Sequence, residues 1–292
     1  MCGIAGIVRP RGASVRASEI RRLTDLIAHR GPDDAGVHLD GAVGLGHRRL
    51  SIVDLSPAGH QPMASADGAA WIVFNGEIYN HAELRRQLEG LGHSFRSATD
   101  TEVILAAFRQ WREDCVARFE GMWAFAIWEP ARRRLFCSRD RLGIKPFYYA
   151  LAGGSFAFAS EIKAVLASGV VPARADLAAL RLQLVYRART ANDATCFEGV
   201  AQLPPAHNAV LEDGRLSLHR YWDAGAPHDP GDWRGPDLAT RFLDELGQAV
   251  ESHLRSDVPV GACLSGGLDS GSLALLASRR MATPLRTFSV TY

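Results

Sequence analysis

Over the first 222 residues, apolar and polar positions alternate in short runs more often than they recur at helical spacing. Residues 2–8 form a short apolar strand, and 45–53, 71–74, 123–128, 135–138 and 156–159 are strand-like. Two segments carry helical periodicity, 17–27 and 102–111. The second follows Thr99 with Glu102 three places on, a capping-box pattern. Strands outnumber helices and do not alternate strictly with them. The pattern therefore predicts an α+β layered domain over a parallel doubly wound one.

A break follows. Residues 223–236 are rich in Gly, Pro and Asp without periodicity and read as a linker. Beyond it, Leu238, Phe242, Leu246, Val250 and Leu254 recur on one face of an amphipathic helix. An apolar strand over 258–264, a Gly-rich turn over 265–270, a helix over 271–280 and a last strand over 287–291 complete a strand–loop–helix–strand unit. The domains are thus 1–222, a linker 223–236, and 237–292. Two strands do not make a stable parallel sheet, because both faces need cover. The second domain is expected to be cut short.

Composition narrows the function classes. At 292 residues, 47% hydrophobic and 22% charged, the chain can bury one large core or two ordinary ones. A formal net charge of +1 gives no basic surface for nucleic acid. No apolar run approaches the roughly 18 residues of a membrane span, and residues 1–10 lack the basic flank of a signal peptide. The five cysteines show no CxxC spacing, so neither a zinc site nor a disulfide framework is indicated. A reducing, cytoplasmic setting without nucleic-acid or membrane partners is expected.

The chemistry begins at Cys2, directly after the initiator methionine. With Met1 removed, Cys2 carries a thiol of pKa about 8.5 and an α-amine of about 7.7–8.0. The amine can then take the thiol proton and activate the nucleophile without a histidine. Position alone fits equally an ordinary residue that starts a buried strand. Likewise, Asn75-Gly76 by itself reads as a hairpin turn, Arg49 as a surface residue and Asp100 as a helix N-cap.

Five stretches in order change the balance: Met1-Cys-Gly-Ile-Ala-Gly6, His29-Arg-Gly-Pro-Asp33, Arg49-Leu-Ser-Ile-Val-Asp54, Asn75-Gly-Glu-Ile-Tyr-Asn80 and Ser97-Ala-Thr-Asp100. Together they resemble the class II glutamine amidotransferases. The resemblance implies an N-terminal-nucleophile fold, a four-layer α/β/β/α sandwich with the nucleophile at the end of an inner strand. It implies Cys2 as nucleophile, and an oxyanion held by the Asn75 side chain and the Gly76 N–H. It places the glutamine α-carboxylate on Arg49 and the α-ammonium on Glu77 and Asp100, with backbone help from Leu50, Ile52 and Val53. Arg49, not Arg48, directly precedes the Leu-Ser-Ile-Val of the motif. Arg30 and Asp33 belong either to a flap over the pocket or to a structural turn. Three more matching stretches, 119–125, 139–149 and 160–164, read as scaffold.

In the second domain, Ser265-Gly-Gly-Leu-Asp-Ser270 stands between an apolar strand and a helix. Two glycines free backbone N–H groups to face an anion, and a helix N-terminus adds its positive end. The GxxxxGK[ST] pattern of γ-phosphate transfer is missing from this stretch. The stretch resembles the PP-loop of ATP pyrophosphatases, opening a parallel α/β domain. That resemblance implies ATP contacts at Leu264, Ser265, Gly266, Gly267, Asp269, Ser270 and Val290, with Asp269 near Mg²⁺.

Glutaminase motifs followed by this loop resemble the glutamine-hydrolysing asparagine synthetases. The implied reaction consumes glutamine, ATP with Mg²⁺, and aspartate, and needs no tightly bound cofactor. The aspartate site is expected outside this chain, in a missing C-terminal half; a homodimer is the other assembly to consider. The competing readings are a stand-alone glutaminase module, an amidotransferase for another carboxylate, and a non-catalytic remnant.

Overall fold

Strand alternation in this sequence produces two stacked, six-stranded antiparallel sheets in the computed structural model, which describes residues 1–186, 193–225 and 237–290. The first part of the chain supplies β1 (Gly3–Val8), α1 (Ala17–Asp25), β2 (Asp34–Asp40), β3 (Val43–Arg49), β4 (Met63–Ala64) and β5 (Trp71–Ile78). Next come α2 (His81–Gly90), α3 (Asp100–Trp111), β6 (Gly121–Glu129), β7 (Arg134–Arg139), β8 (Tyr148–Ala152) and β9 (Ser155–Ala159). They are followed by α4 (Ile162–Ala167), α5 (Leu177–Tyr186), β10 (Val200–Gln202), β11 (His207–Glu212) and β12 (Arg215–Arg220). One sheet has the order β10-β8-β9-β1-β3-β2, the other β12-β11-β7-β6-β5-β4.

Three apolar layers hold this arrangement. Ile20, Leu23 and Ile27 pack with Ala5, Ile7, Ala157 and Ala164, filling the layer between α1, α4 and the first sheet. Ile4, Val73, Ala124, Phe147 and Phe158 fill the space between the sheets. Leu84, Leu88, Val103, Ile104 and Phe108 of α2 and α3 pack with Phe74, Phe125 and Phe136 of the second sheet. Strand β6 makes the logic plain. Trp123, Phe125 and Ile127 face the helices, while Ala124, Ala126 and Trp128 face the other sheet. Two alanines on the inner face let the sheets close, and bulky residues on the outer face fill the deeper helix layer. Each large side chain buried this way contributes about 1.5–3 kcal/mol. The result is the α/β/β/α sandwich, with β1 inside the first sheet between β9 and β3.

Several predicted elements change extent. Residues 45–49 belong to β3, but 50–53 leave the sheet, because their backbone turns toward a cavity. The strand over 71–74 continues to Ile78, so Asn75-Gly76 lies within a strand, paired with Ala124 and Trp123, and is no hairpin turn. The helix predicted over 17–27 ends at Asp25, and a 3₁₀ turn, Ala28–Arg30, follows it. Thr99, not Asp100, caps α3: its hydroxyl accepts from Glu102 N at 3.2 Å. The Glu102 carboxylate turns instead to the N–H groups of Arg96 and Ser97. Helices α2, α4 and α5 were not expected; α2 buries only Leu84 and Leu88, too sparse a stripe to stand out.

The chain divides into two compact units, Met1–Asp223 and Ala224–Tyr292. The proposed linker lies outside the described residues from 226 onward. The second unit contains α6 (Leu238–His253), β13 (Gly261–Cys263), α7 (Leu268–Ser278) and β14 (Arg286–Phe288), with β13 and β14 parallel. Both strands are shorter than the apolar runs that announced them, and Thr291 lies outside the described residues. Phe242 of α6, Leu268 of α7, Phe288 of β14 and Val290 just beyond it are exposed. Among the described residues no helix is long and apolar enough to cross a membrane.

Candidate active site

Strands β1, β3 and β5 and the start of α3 converge on one cavity. It is lined by Cys2, Arg49, Leu50, Ile52, Val53, Asn75, Gly76, Glu77 and Asp100, every residue to which the resemblance gave a catalytic or glutamine-binding role, but not by Arg30 or Asp33. Met1, Gln61, Phe74, Thr99, Thr101 and Lys145 line it as well.

Cys2 immediately precedes β1. Arg30 fixes its backbone: Nε donates to Cys2 O at 3.0 Å while Nη1 reaches Glu161 at 3.3 Å. The next link, Ile4 N to Ser160 Oγ at 3.0 Å, ties the strand to the 160–164 stretch. The Cys2 thiol donates to Leu50 O at 3.6 Å, and Leu50 N–H donates to Cys2 Sγ at 3.4 Å. Burial pushes the thiol above its ordinary range, while the Leu50 N–H and the amino terminus pull it back. The amine of Met1 is lowered, first by burial and further by the Arg30 and Lys145 cations.

Arg49 ends β3 and is buried. Its Nη1 donates to Ser56 O at 2.9 Å, and Nη2 donates to Val53 O at 3.4 Å and to Asp54 O. Guanidinium offers five N–H donors, so two remain for a ligand after these three bonds. Gly59 packs against it so closely that a Cβ would lie 1.9 Å from Nη2. Asp33, on the flanking loop, accepts from Ser51 N at 2.8 Å, and its own N–H donates to Arg49 O at 3.0 Å. Arg30 and Asp33 thus brace the strand ends, which fits the structural-turn reading.

Asn75 is 1% exposed, and its Nδ2 finds no hydrogen-bond partner. A buried donor left unpaired costs free energy, on the order of 1–3 kcal/mol. In a cavity wall beside a thiol, that donor is available to a ligand. Gly76 is required sterically, since a Cβ would come within 2.1 Å of Met122 O on β6. Asp100 opens α3; Ile78 N–H donates to its Oδ2 at 3.0 Å. Burial raises the Asp100 carboxyl, an effect the Ile78 N–H opposes.

Three polar residues here escaped the sequence reading. Gln61 accepts from Phe74 N at 2.7 Å and donates to Thr101 Oγ1 at 3.2 Å, bridging β5 to α3. His47 is fully buried; its Nε2 lies 2.9 Å from Phe74 O, one residue before Asn75. Lys145 is 4% exposed, and its ammonium donates to Met1 Sδ at 3.1 Å. Its signal was a charge inside the apolar run Ile144-Lys-Pro-Phe147. The neighbouring Arg139 and Asp140 are scaffold: Arg139 donates to Lys145 O at 2.7 Å, and Asp140 accepts from the N–H groups of Trp123, Leu142, Ile144 and Lys145.

In the second unit, Ser265, Gly266 and Gly267 lie in the turn between β13 and α7, and Ser270 in the first turn of α7. Ser265 Oγ and Ser270 Oγ are 2.9 Å apart, and Gly266 adopts φ +81°, which favours glycine. Asp269 lies exposed in the first turn of α7. Leu264 N–H donates to Phe288 O at 2.8 Å, which seats the loop on the parallel pair, and Val290 is exposed just beyond. Among the described residues no group of three or more His, Cys, Asp or Glu side chains could hold a metal ion. A single carboxylate such as Asp269 suits a magnesium ion that arrives mostly hydrated and phosphate-bound.

Comparison with known proteins agrees with this geometry. A family model described as glutamine amidotransferase domain matches residues 1–222, and one described as asparagine synthase matches 241–292. The chain is 39% identical over its whole length to the glutamine-hydrolysing asparagine synthetase 3 of Bacillus subtilis (strain 168), covering 48% of that protein. It is 36% identical to asparagine synthetase 1 of the same organism, covering 46%. The chain thus spans about half the length of these relatives. The fold resembles the glutamine phosphoribosylpyrophosphate amidotransferase of B. subtilis, with TM-score 0.58 at 16% identity, over 99% of this chain and 65% of that one. A family match across the entire sandwich, and a cavity assembled from the same motif residues, establish that the chain belongs to the glutamine amidotransferase domain family.

Proposed function

We propose that the first unit releases ammonia from the side-chain amide of glutamine at Cys2, once Met1 has been removed. The carrying observation is Asn75 Nδ2, a buried donor without a partner in the wall of the cavity that holds the Cys2 sulfur. The amine freed on Cys2 takes the thiol proton, and the sulfur attacks the amide carbon. Negative charge on the former carbonyl oxygen falls to Asn75 Nδ2 and the Gly76 N–H. Such preorganised donors contribute a few kcal/mol each to a transition state. The protonated amine returns its proton to the leaving nitrogen, and ammonia departs. Water then cleaves the thioester to give glutamate and free Cys2.

Binding follows from charge. The Arg49 guanidinium in the cavity wall supplies the positive charge that matches the glutamine α-carboxylate. Glu77 and Asp100 lie on the wall for the α-ammonium, and the pairing would favour the ionised Asp100. The backbone of Leu50, Ile52 and Val53 closes the same wall.

For the whole protein, the reading is an ATP-dependent synthesis of asparagine. Aspartate attacks the α-phosphate of ATP, giving β-aspartyl adenylate and diphosphate, and ammonia then displaces AMP. The turn of Ser265, Gly266 and Gly267, with Ser270 of α7, would hold the phosphates, with Asp269 near Mg²⁺ and Leu264 and Val290 beside the adenine nucleotide. The asparagine synthase match over 241–292 and the names of the relatives support this.

The test combines intact mass with a glutaminase assay, run with and without ATP, aspartate and Mg²⁺. Glutamate release by protein lacking Met1, without ATP, is expected. Its absence would refute the reading, and asparagine formed with all substrates would extend it to the synthetase.

A further inference from the structure

Lys145 presents a problem of charge. Its ammonium is carried on the loop between β7 and β8, buried, and faces the cavity that Cys2, Asn75 and Glu77 also line. Among the described residues no carboxylate pairs with it; its polar contact is the thioether of Met1, at 3.1 Å. A thioether is a weak acceptor, so a buried cation is held against the one side chain that maturation removes. The backbone nevertheless fixes it firmly, through Lys145 N to Asp140 Oδ2 at 2.9 Å and Arg139 Nε to Lys145 O at 2.7 Å.

Arg30, on the 3₁₀ turn, also acts on the terminal amine, but unlike Lys145 it has a carboxylate in contact, Glu161 at 3.3 Å, and it donates to Cys2 O. Arg49, on β3, is bound to the carbonyls of Val53, Asp54 and Ser56. Asp33 before β2, Glu77 on β5, Asp100 on α3 and Asp140 after β7 supply the negative charges that face this region. Lys145 is thus the buried cation there with no anion of its own in contact.

We propose that Lys145 is a positioning residue for the amino-terminal base: with Met1 gone, its ammonium faces the Cys2 amine and keeps that amine free of a proton until the thiol supplies one. The same cation favours the thiolate that results. Burial lowers Lys145 itself, while Glu77 and the Cys2 sulfur act to keep it charged. The inference rests on the glutaminase reading, and its test separates the two.

The experiment measures kcat at saturating glutamine against pH for the full chain, Lys145→Met and Lys145→Arg, each checked for loss of Met1 by intact mass. At saturation the substrate-binding carboxylates are already paired, so the acid limb reports the base. A cation lowers the pKa of a neighbouring amine, and its removal raises it. The acid limb of Lys145→Met is expected to move up by roughly 1 pH unit. Its rate on that limb then falls about tenfold. Lys145→Arg should keep the wild-type limb. If Lys145→Met does not fold, Lys145→Gln provides the same measurement with a polar side chain. An inactive wild type would sink the glutaminase reading itself. An active wild type whose neutral variants keep the same acid limb would overturn the Lys145 assignment alone.

Discussion

The backbone of Leu50 meets the Cys2 sulfur with both of its polar groups, the N–H at 3.4 Å and the carbonyl oxygen at 3.6 Å. The thiol is therefore held in one place before any ligand arrives. Replacing the sulfur should remove chemistry without removing the fold. Cys2→Ala is expected to lower glutamate release by more than about a thousandfold, with an unchanged melting temperature. A chain that keeps a residue before Cys2 should behave alike, because the amine is then displaced from the thiol. Coupled glutamate detection reads both; residual activity near wild type would refute Cys2 as nucleophile.

Asn75 tests the oxyanion contact. Its side-chain nitrogen has no partner to lose, so Asn75→Ala should leave stability close to wild type. Loss of one preorganised donor typically costs about 10²–10³ in kcat. The expected result is a kcat reduced by roughly that factor with KM for glutamine nearly unchanged. A large KM effect with normal kcat would reassign Asn75 to ground-state binding.

The α+β class was legible because short strand-like runs outnumber helical ones, β6 being an unbroken apolar run buried on both faces, while the sandwich itself came from the family resemblance. The site residues were legible because the motifs keep their side-chain types in order. What the pattern missed were features made by distance. Residues 50–53 look like the continuation of a strand, and only the folded chain turns them to hold Arg49. Asn75-Gly76 looks like a turn until Ala124 and Trp123 pair with it. Lys145 reaches Met1 across 144 positions of sequence, and no local pattern predicts such a contact.

Gly59 is expected to control substrate binding from outside the cavity. A Cβ there would sit 1.9 Å from Arg49 Nη2, and that guanidinium is pinned by three carbonyls and cannot swing aside freely. In Gly59→Ala the guanidinium must shift away from the position it offers to a carboxylate. We expect KM for glutamine to rise about tenfold or more, with a smaller change in kcat. Steady-state kinetics decide it, and an unchanged KM would show that Arg49 does not bind the substrate.

His47 should make the first unit sensitive to mild acid. It is fully buried between the sheets, and burial holds its imidazole down to about 4, against an ordinary value of 6.5. The neutral ring donates Nε2–H to Phe74 O at 2.9 Å, while Nδ1 has no partner. Between these two pKa values the unfolded chain binds a proton that the folded chain does not. Stability from this group is therefore full above pH 6.5 and lost as the pH falls toward 4. The loss is about 1.4 kcal/mol per pH unit, or at most roughly 3 kcal/mol over the window. His47→Gln can keep a donor to Phe74 O and has nothing to titrate. Urea unfolding at pH 7, 6 and 5 should show wild type losing stability with the steeper slope, the variant's slope being set by its carboxylates. Parallel slopes would mean that the ring is protonated in the folded state, and that His47 does not join the sheets as a neutral donor.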